Sequence, residues 1–214
     1  YQHLLKKINF QSLSISGEYS KESLDIESLF ITLSDKSQIS IKGSIDLNNF
    51  LNSDLIIGGQ NISTDNLFQL VSNIKVLNEI ASIPKGIIET FDLSYNSNNL
   101  LVNKIIYRSE QGTIIDLNGT IEELDIDNIV INTNLISNSK VDIFKLLNFL
   151  PNAELMKQFE FDEIQLSSNF ENNILKLDEL NINNKDRQIV KIKGKYDFNN
   201  TDNLRLDIHL NEFD

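Results

Sequence analysis

Apolar and polar residues alternate along most of this chain, with the period of two that puts successive side chains on opposite faces of a β-strand. The phrase apolar-x-apolar-x-Gly-x-apolar occurs three times, as Ile39-x-Ile41-x-Gly43-x-Ile45, Ile115-x-Leu117-x-Gly119-x-Ile121 and Val190-x-Ile192-x-Gly194-x-Tyr196. Its glycines are 76 and then 75 residues apart. Upstream, Leu24, Ile26, Leu29 and Ile31 align with Leu100, Val102, Ile105 and Tyr107, and again with Leu175, Leu177, Leu180 and Ile182. Ile15 and Tyr19 return as Phe91 and Tyr95, then as Leu166 and Phe170, and Leu55 returns as Ile131 and Leu206. Registered recurrence at this many positions predicts three similar units stacked along one axis, each burying the face its neighbour exposes. Function in such an array belongs to a continuous surface and not to a point site.

In the second unit the alternation predicts strands over 88–95, 99–107, 112–121 and 127–135. Turn formers such as Asn96-Ser97-Asn98-Asn99 and Ser109-Glu110-Gln111-Gly112 separate them, short enough for hairpins and so for antiparallel pairing. Parity changes between Ile26 and Leu29, and at the same place in each unit, so a bulged residue is expected there to keep the apolar set on one face. Gly43, Gly119 and Gly194 fall on the apolar parity, where they remove bulk and favour a bent, curled sheet. The period then becomes helical: Asp65 precedes a stripe of Leu67, Leu70, Val71, Ile74, Leu77 and Ile80 that Pro84-Lys85-Gly86 ends. A second such segment runs from Asp142 to Pro151, with Phe144 matching Phe68. The expected fold is therefore mainly β, a long curled antiparallel sheet of about three 75-residue repeats, each a four-strand meander, with two short amphipathic helices between them. Residues 1–7 read as the tail of a preceding helix, since Leu4 aligns with Ile80. Repeat 1 covers 8–86, repeat 2 covers 87–160, and repeat 3 covers 161–214, stopping before its helix. The expectation is one continuous domain cut from a longer protein.

Composition narrows the function classes. The chain has 214 residues, 40% of them hydrophobic, enough for a sizeable core. No apolar stretch approaches the roughly 18 to 20 residues of a membrane span, and the opening Tyr1-Gln2-His3-Leu4-Leu5-Lys6-Lys7 does not have the order of a signal peptide. A net charge of −12 argues against a nucleic-acid partner and reads as a solvated outer face. The absence of cysteine excludes disulfide and thiolate chemistry. His3 and His209 stand far apart and away from carboxylates at ligand spacing. Asp116-x-Asn118-Gly119 lacks the acidic run of a calcium loop, and its glycine belongs to the repeat. Asp125-Ile126-Asp127 reads as a turn. Gly58-Gly59 and Lys85-Gly86 make no phosphate loop, and no serine stands in a nucleophile elbow. The residues therefore point to a non-enzymatic protein with no cofactor and no metal.

The strand phrase Gln38-Ile39-Ser40-Ile41-Lys42-Gly43 and the segment Asp142-Ile143-Phe144-Lys145-Leu146-Leu147, which runs on to Leu150-Pro151, together resemble the AsmA-like proteins of bacterial envelopes, with the TamB branch nearest. In outline the chain is also similar to the eukaryotic bridge-like lipid transfer proteins built from repeating β-groove modules. The resemblance implies a β-taco fold in the periplasm, anchored to the inner membrane through a region outside this fragment. It implies phospholipid transport between the inner and outer membranes, in support of outer-membrane biogenesis and homeostasis. The partners it implies are phospholipid acyl chains, neighbouring repeats of the same longer chain, and an outer-membrane protein. The family's N-terminal anchor and C-terminal region are not among these residues, so anchoring and outer-membrane docking do not carry over.

The residues support a groove by a separate physical route. If the sheet curls with its apolar parity inward, the lining comprises Leu24, Ile26, Leu29, Ile31, Ile39, Ile41 and Ile45 in the first unit. Leu100, Val102, Ile105, Tyr107, Ile115, Leu117 and Ile121 continue it in the second, and Leu175, Leu177, Leu180, Ile182, Val190 and Ile192 in the third. Twelve strands at about 4.8 Å spacing make such a lining roughly 55 Å long. Each acyl methylene shielded there gains about 0.8 kcal/mol. A sandwich filled by its own side chains shows the same alternation. The alternative function is therefore a structural or adhesive β-repeat scaffold that binds partner proteins by its strand edges.

Overall fold

The computed structural model describes residues 10–65, 84–124, 128–147, 161–184, 187–200 and 203–210. Twelve strands follow one another: β1 (Phe10–Tyr19), β2 (Ser23–Leu33), β3 (Gln38–Asp46), β4 (Asp54–Ser63), β5 (Gly86–Asn96), β6 (Asn99–Ser109), β7 (Ile114–Ile121), β8 (Ile129–Ser137), β9 (Glu163–Glu171), β10 (Ile174–Asn184), β11 (Arg187–Asp197) and β12 (Arg205–Leu210). They form one antiparallel sheet whose spatial order is the sequence order, β1 to β12. The β4–β5 and β8–β9 pairs are as continuous as the hairpins, so the sheet runs unbroken past residues 86 and 160, where the sequence reading divided its units.

Local chemistry sets the hairpins. Ser97 and Asn98 turn β5 into β6 with φ of 45° and 69°, and Asn172 and Asn173 turn β9 into β10 with 51° and 58°. Two consecutive left-handed residues make the turn whose twist matches that of the flanking strands, and asparagine tolerates that backbone better than most side chains. The strands of the second unit start and stop within two residues of the ranges the alternation predicted.

The expected bulges are present. On β2 the pairing with β3 advances three residues, from Ile26 to Leu29, while β3 advances two, from Gly43 to Ile41. The same step occurs on β6 between Val102 and Ile105 and on β10 between Leu177 and Leu180. Pairing on the other side of these strands leaves out Glu27, Asn103 and Asp178, which are 76 and 75 residues apart. Each extra residue resets the alternation, so that the apolar residues before and after it share a face.

One helix is described, α1 (Lys140–Leu147), and it begins two residues earlier than the Asp142 start expected. Ser139 is its cap: the Ser139 carbonyl accepts from the Ile143 N–H at 3.1 Å, and its Oγ accepts from the Asp142 N–H at 3.2 Å. The expectation of two helices is thus met by one among the described residues. The stripe from Leu67 to Ile80, the end of the second segment at Pro151, and the opening residues through Lys7 all lie outside them. α1 packs Ile143 onto Phe161, Ile164, Ile182 and Val190, with Leu135, Leu180 and Ile192 around them, and so covers one end of the sheet near β8 to β11.

Candidate functional site

Register partners on adjacent strands point to the same side of a sheet, so the pairing decides which residues share a face. One row takes a residue from every strand: Leu13, Ile31, Ile39, Gly59, Phe91, Ile105, Leu117, Thr133, Ser168, Leu177, Gly194 and Leu206. Beside it run Ile15, Leu29, Ile41, Ile57, Leu93, Val102, Gly119, Ile131, Phe170, Leu175 and Tyr196, from β1 to β11. A third row passes from Tyr107 through Ile115, Leu135, Leu166 and Leu180 to Ile192 and Ile208. Leu24 with Ile45, Ile26 with Gly43, Leu100 with Ile121 and Ile182 with Val190 complete the same face. All twenty residues that the sequence assigned to a lining therefore lie on one side of the sheet.

Sequence reasoning left out the contributions of β1, β4, β5, β8, β9 and β12 to this face. Ile57, Phe91, Leu93 and Leu135 sit in the rows between predicted lining residues. Their own alternation was the available signal, but the search followed the glycine phrase and the strand before it. Thr133 and Ser168 are the one polar step in the longest row.

Most row residues are half-buried. Ile26, Tyr107, Ile182 and Val190 are buried, the last two under α1, where they belong to its packed cluster. Among the described residues, the side chains most completely enclosed are Thr113, Asp142, Pro84, Ser37, Ser53 and Ser137. None of these is a large apolar residue, whereas a filled sandwich core would bury leucine and isoleucine at least as deeply. The accessible surface is 14368 Å², against about 10,000 Å² for a compact monomer of this mass.

The glycines lie opposite the bulges: Gly43 pairs with Ile26, Gly119 with Val102 and Gly194 with Leu177. A Cβ on Gly43 would fall 2.0 Å from the Asp54 carbonyl oxygen, and one on Gly119 2.0 Å from that of Val130. At both positions the neighbouring backbone fills the space of a side chain. Gly43 also has φ of +126°, which only glycine adopts readily. At Gly194 the Arg205 carbonyl oxygen would be 2.6 Å away.

The opposite face is polar. Asn132 donates to Asn118 Oδ1 at 2.9 Å and accepts from Asn169 Nδ2 at 3.0 Å, a ladder across β7, β8 and β9. On β11, Lys191, Lys193 and Lys195 project from this face, and the Lys191 ammonium pairs with Glu179. That hydrogen bond and a second from Asn181 hold the Glu179 carboxyl below its usual range. Backbone N–H groups of Asn49 and Asn48 do the same for Asp46 in the β3–β4 loop. His209 is exposed on this face, and Asp116 and Asn118 lie within β7 as ordinary strand residues. Among the described residues, no group of His, Asp and Glu is arranged to hold a metal ion.

A buried polar knot ties α1 to the sheet. Asp142 accepts from the Ser109 hydroxyl and, at 2.8 Å, from Thr113 Oγ1, which lies 2.6 Å from Ser137 Oγ. Nearby, the Tyr107 hydroxyl donates to the Pro84 carbonyl at 2.5 Å. Burial first, then the negative charges of Asp142 and Glu110, push the Tyr107 phenol up to about 12. Asp142 has no histidine beside it among these partners, and its hydrogen bonds serve as an anchor. Comparison with protein-family models, with curated proteins and with solved structures found no match.

Proposed function

We propose that this chain is a segment of a hydrophobic-groove protein of the AsmA-like, TamB type. In this reading three repeats curl into one groove that shields acyl chains and conducts phospholipid between inner and outer membranes, in the periplasm of a bacterial envelope. Acyl tails would lie along the half-buried rows while the charged headgroup stays in water. The observation that carries the reading is the absence of large apolar side chains among the most enclosed residues, beside rows that continue across twelve strands. Bulges at Glu27, Asn103 and Asp178, each in register with a side-chain-free glycine, support the repeat and the curl.

Native mass spectrometry with lipid extraction, on protein purified from a membrane-containing host, tests this. Phospholipid should co-purify, and Leu117→Asp or Ile41→Asp should abolish it while circular dichroism shows the sheet intact. If either variant unfolds and the wild type carries no lipid, the face is a filled core. The second reading, a scaffold that binds partners by its strand edges, would then take precedence, because β1 and β12 each pair on one side only among the described residues.

A further inference from the structure

The two outer strands carry the apolar face to the limits of the described sheet. Inside the sheet, Leu55 of β4 pairs with Tyr95 of β5, and they are 8% and 7% exposed. Leu206 and Tyr19 hold the corresponding places on β12 and β1, where they are 47% and 76% exposed. Pairing is what separates the two cases, since both leucines and both tyrosines point to the same face.

Charge on the polar face differs between the two edges. Near β1 it is acidic, with Glu18, Glu22, Asp25 and Glu27 against Lys21. Near β12 it is basic, with Lys191, Lys193, Lys195 and Arg205 against Asp207, in a chain whose net charge is −12. Two β12 edges meeting would crowd lysines together, and two β1 edges would crowd carboxylates. One of each brings opposite signs together.

We infer that copies of this chain join head to tail, β12 of one against β1 of the next, in the antiparallel register that β4–β5 and β8–β9 already use. That register places Leu206 opposite Tyr19 of the second copy, Ile208 opposite Gly17 and Leu210 opposite Ile15. It also sets Asp207 opposite Glu18, with Arg205 diagonal to that glutamate and Lys193 paired with Asp207 on its other side. The contact is heterologous, so association is open-ended and each added copy extends the apolar face. It rests on the edges alone and not on what the groove carries.

Sedimentation velocity over a concentration series reads the outcome. The wild-type chain should form species larger than a dimer that grow with concentration and shrink with salt. Ile15→Lys and Ile208→Lys, both at exposed edge positions, each block one edge. Each variant alone should be monomeric, and an equimolar mixture should form a dimer and nothing larger. A wild type that stays monomeric, or a single variant that still dimerises, overturns the proposal. Because the chain has no cysteine, a Tyr19→Cys, Leu206→Cys double variant reports the register independently. Oxidation should give a ladder of covalent multimers on a non-reducing gel, while a crosslinked monomer would mean that the sheet closes on itself and would overturn it too. Lipid measured in the same preparations separates this result from that of the groove.

Discussion

At the scale of single residues, the glycines show how the sequence constrains the sheet. Gly119 cannot gain a methyl group without moving the backbone of β8, because the Val130 carbonyl oxygen would be 2.0 Å from it. Gly119→Ala should cost about 2–3 kcal/mol in urea denaturation. Gly58→Ala should cost under about 1 kcal/mol, since its new methyl group would meet the Ser40 hydroxyl at 3.2 Å, a group able to turn aside. The parity of Gly43, Gly119 and Gly194 was legible in the sequence. Their close approach to the next strand was not, because it depends on how two backbones cross. Tyr107 is a similar case: alternation places it on the apolar face, but nothing local announces that its hydroxyl reaches Pro84. Its phenol ionises near 10 in an unfolded chain and near 12 when folded. Its contribution to stability is therefore complete below pH 10 and falls as pH rises through 12, because the unfolded chain releases a proton that the folded one keeps. Denaturation midpoints measured between pH 9 and 12 should fall less steeply for Tyr107→Phe than for the wild type.

At the scale of elements, the anchor of α1 decides whether one end of the sheet stays covered. Asp142 serves two hydroxyls from the β6–β7 turn and lies in the first turn of the helix, where a carboxylate also meets the favourable end of the dipole. Asp142→Ala leaves the Ser109 and Thr113 hydroxyls short of an acceptor in a buried site. It should cost about 3 kcal/mol, with hydrogen exchange of the α1 amides accelerating more than that of β2 or β3. Strand positions were readable because alternation and turn formers act locally. The bulges were readable too, because a change of parity such as that between Ile26 and Leu29 has few other solutions. The start of α1 was misplaced because Asp142 resembles a cap, while the true cap, Ser139, is recognised only by the bonds it makes.

At the scale of the whole molecule, alternation cannot distinguish a face that is open from one covered by a second layer, since both need the same apolar parity. A compact chain of this length has a radius of gyration of about 17 Å, whereas twelve strands laid side by side at 4.8 Å give about 20 Å. Small-angle X-ray scattering on monomeric Ile208→Lys should return the larger value, and a result near 17 Å would mean that the sheet has folded over on itself. The identity of strand order and sequence order bears also on how the molecule is made. Every strand pairs with the one synthesised just before it, so sheet growth during translation need never wait for a distant partner, and the entropy of closing long loops is largely avoided. The chain can assemble from its N-terminal side, each new hairpin templated by a finished edge, and the strand last synthesised is the last to find its place.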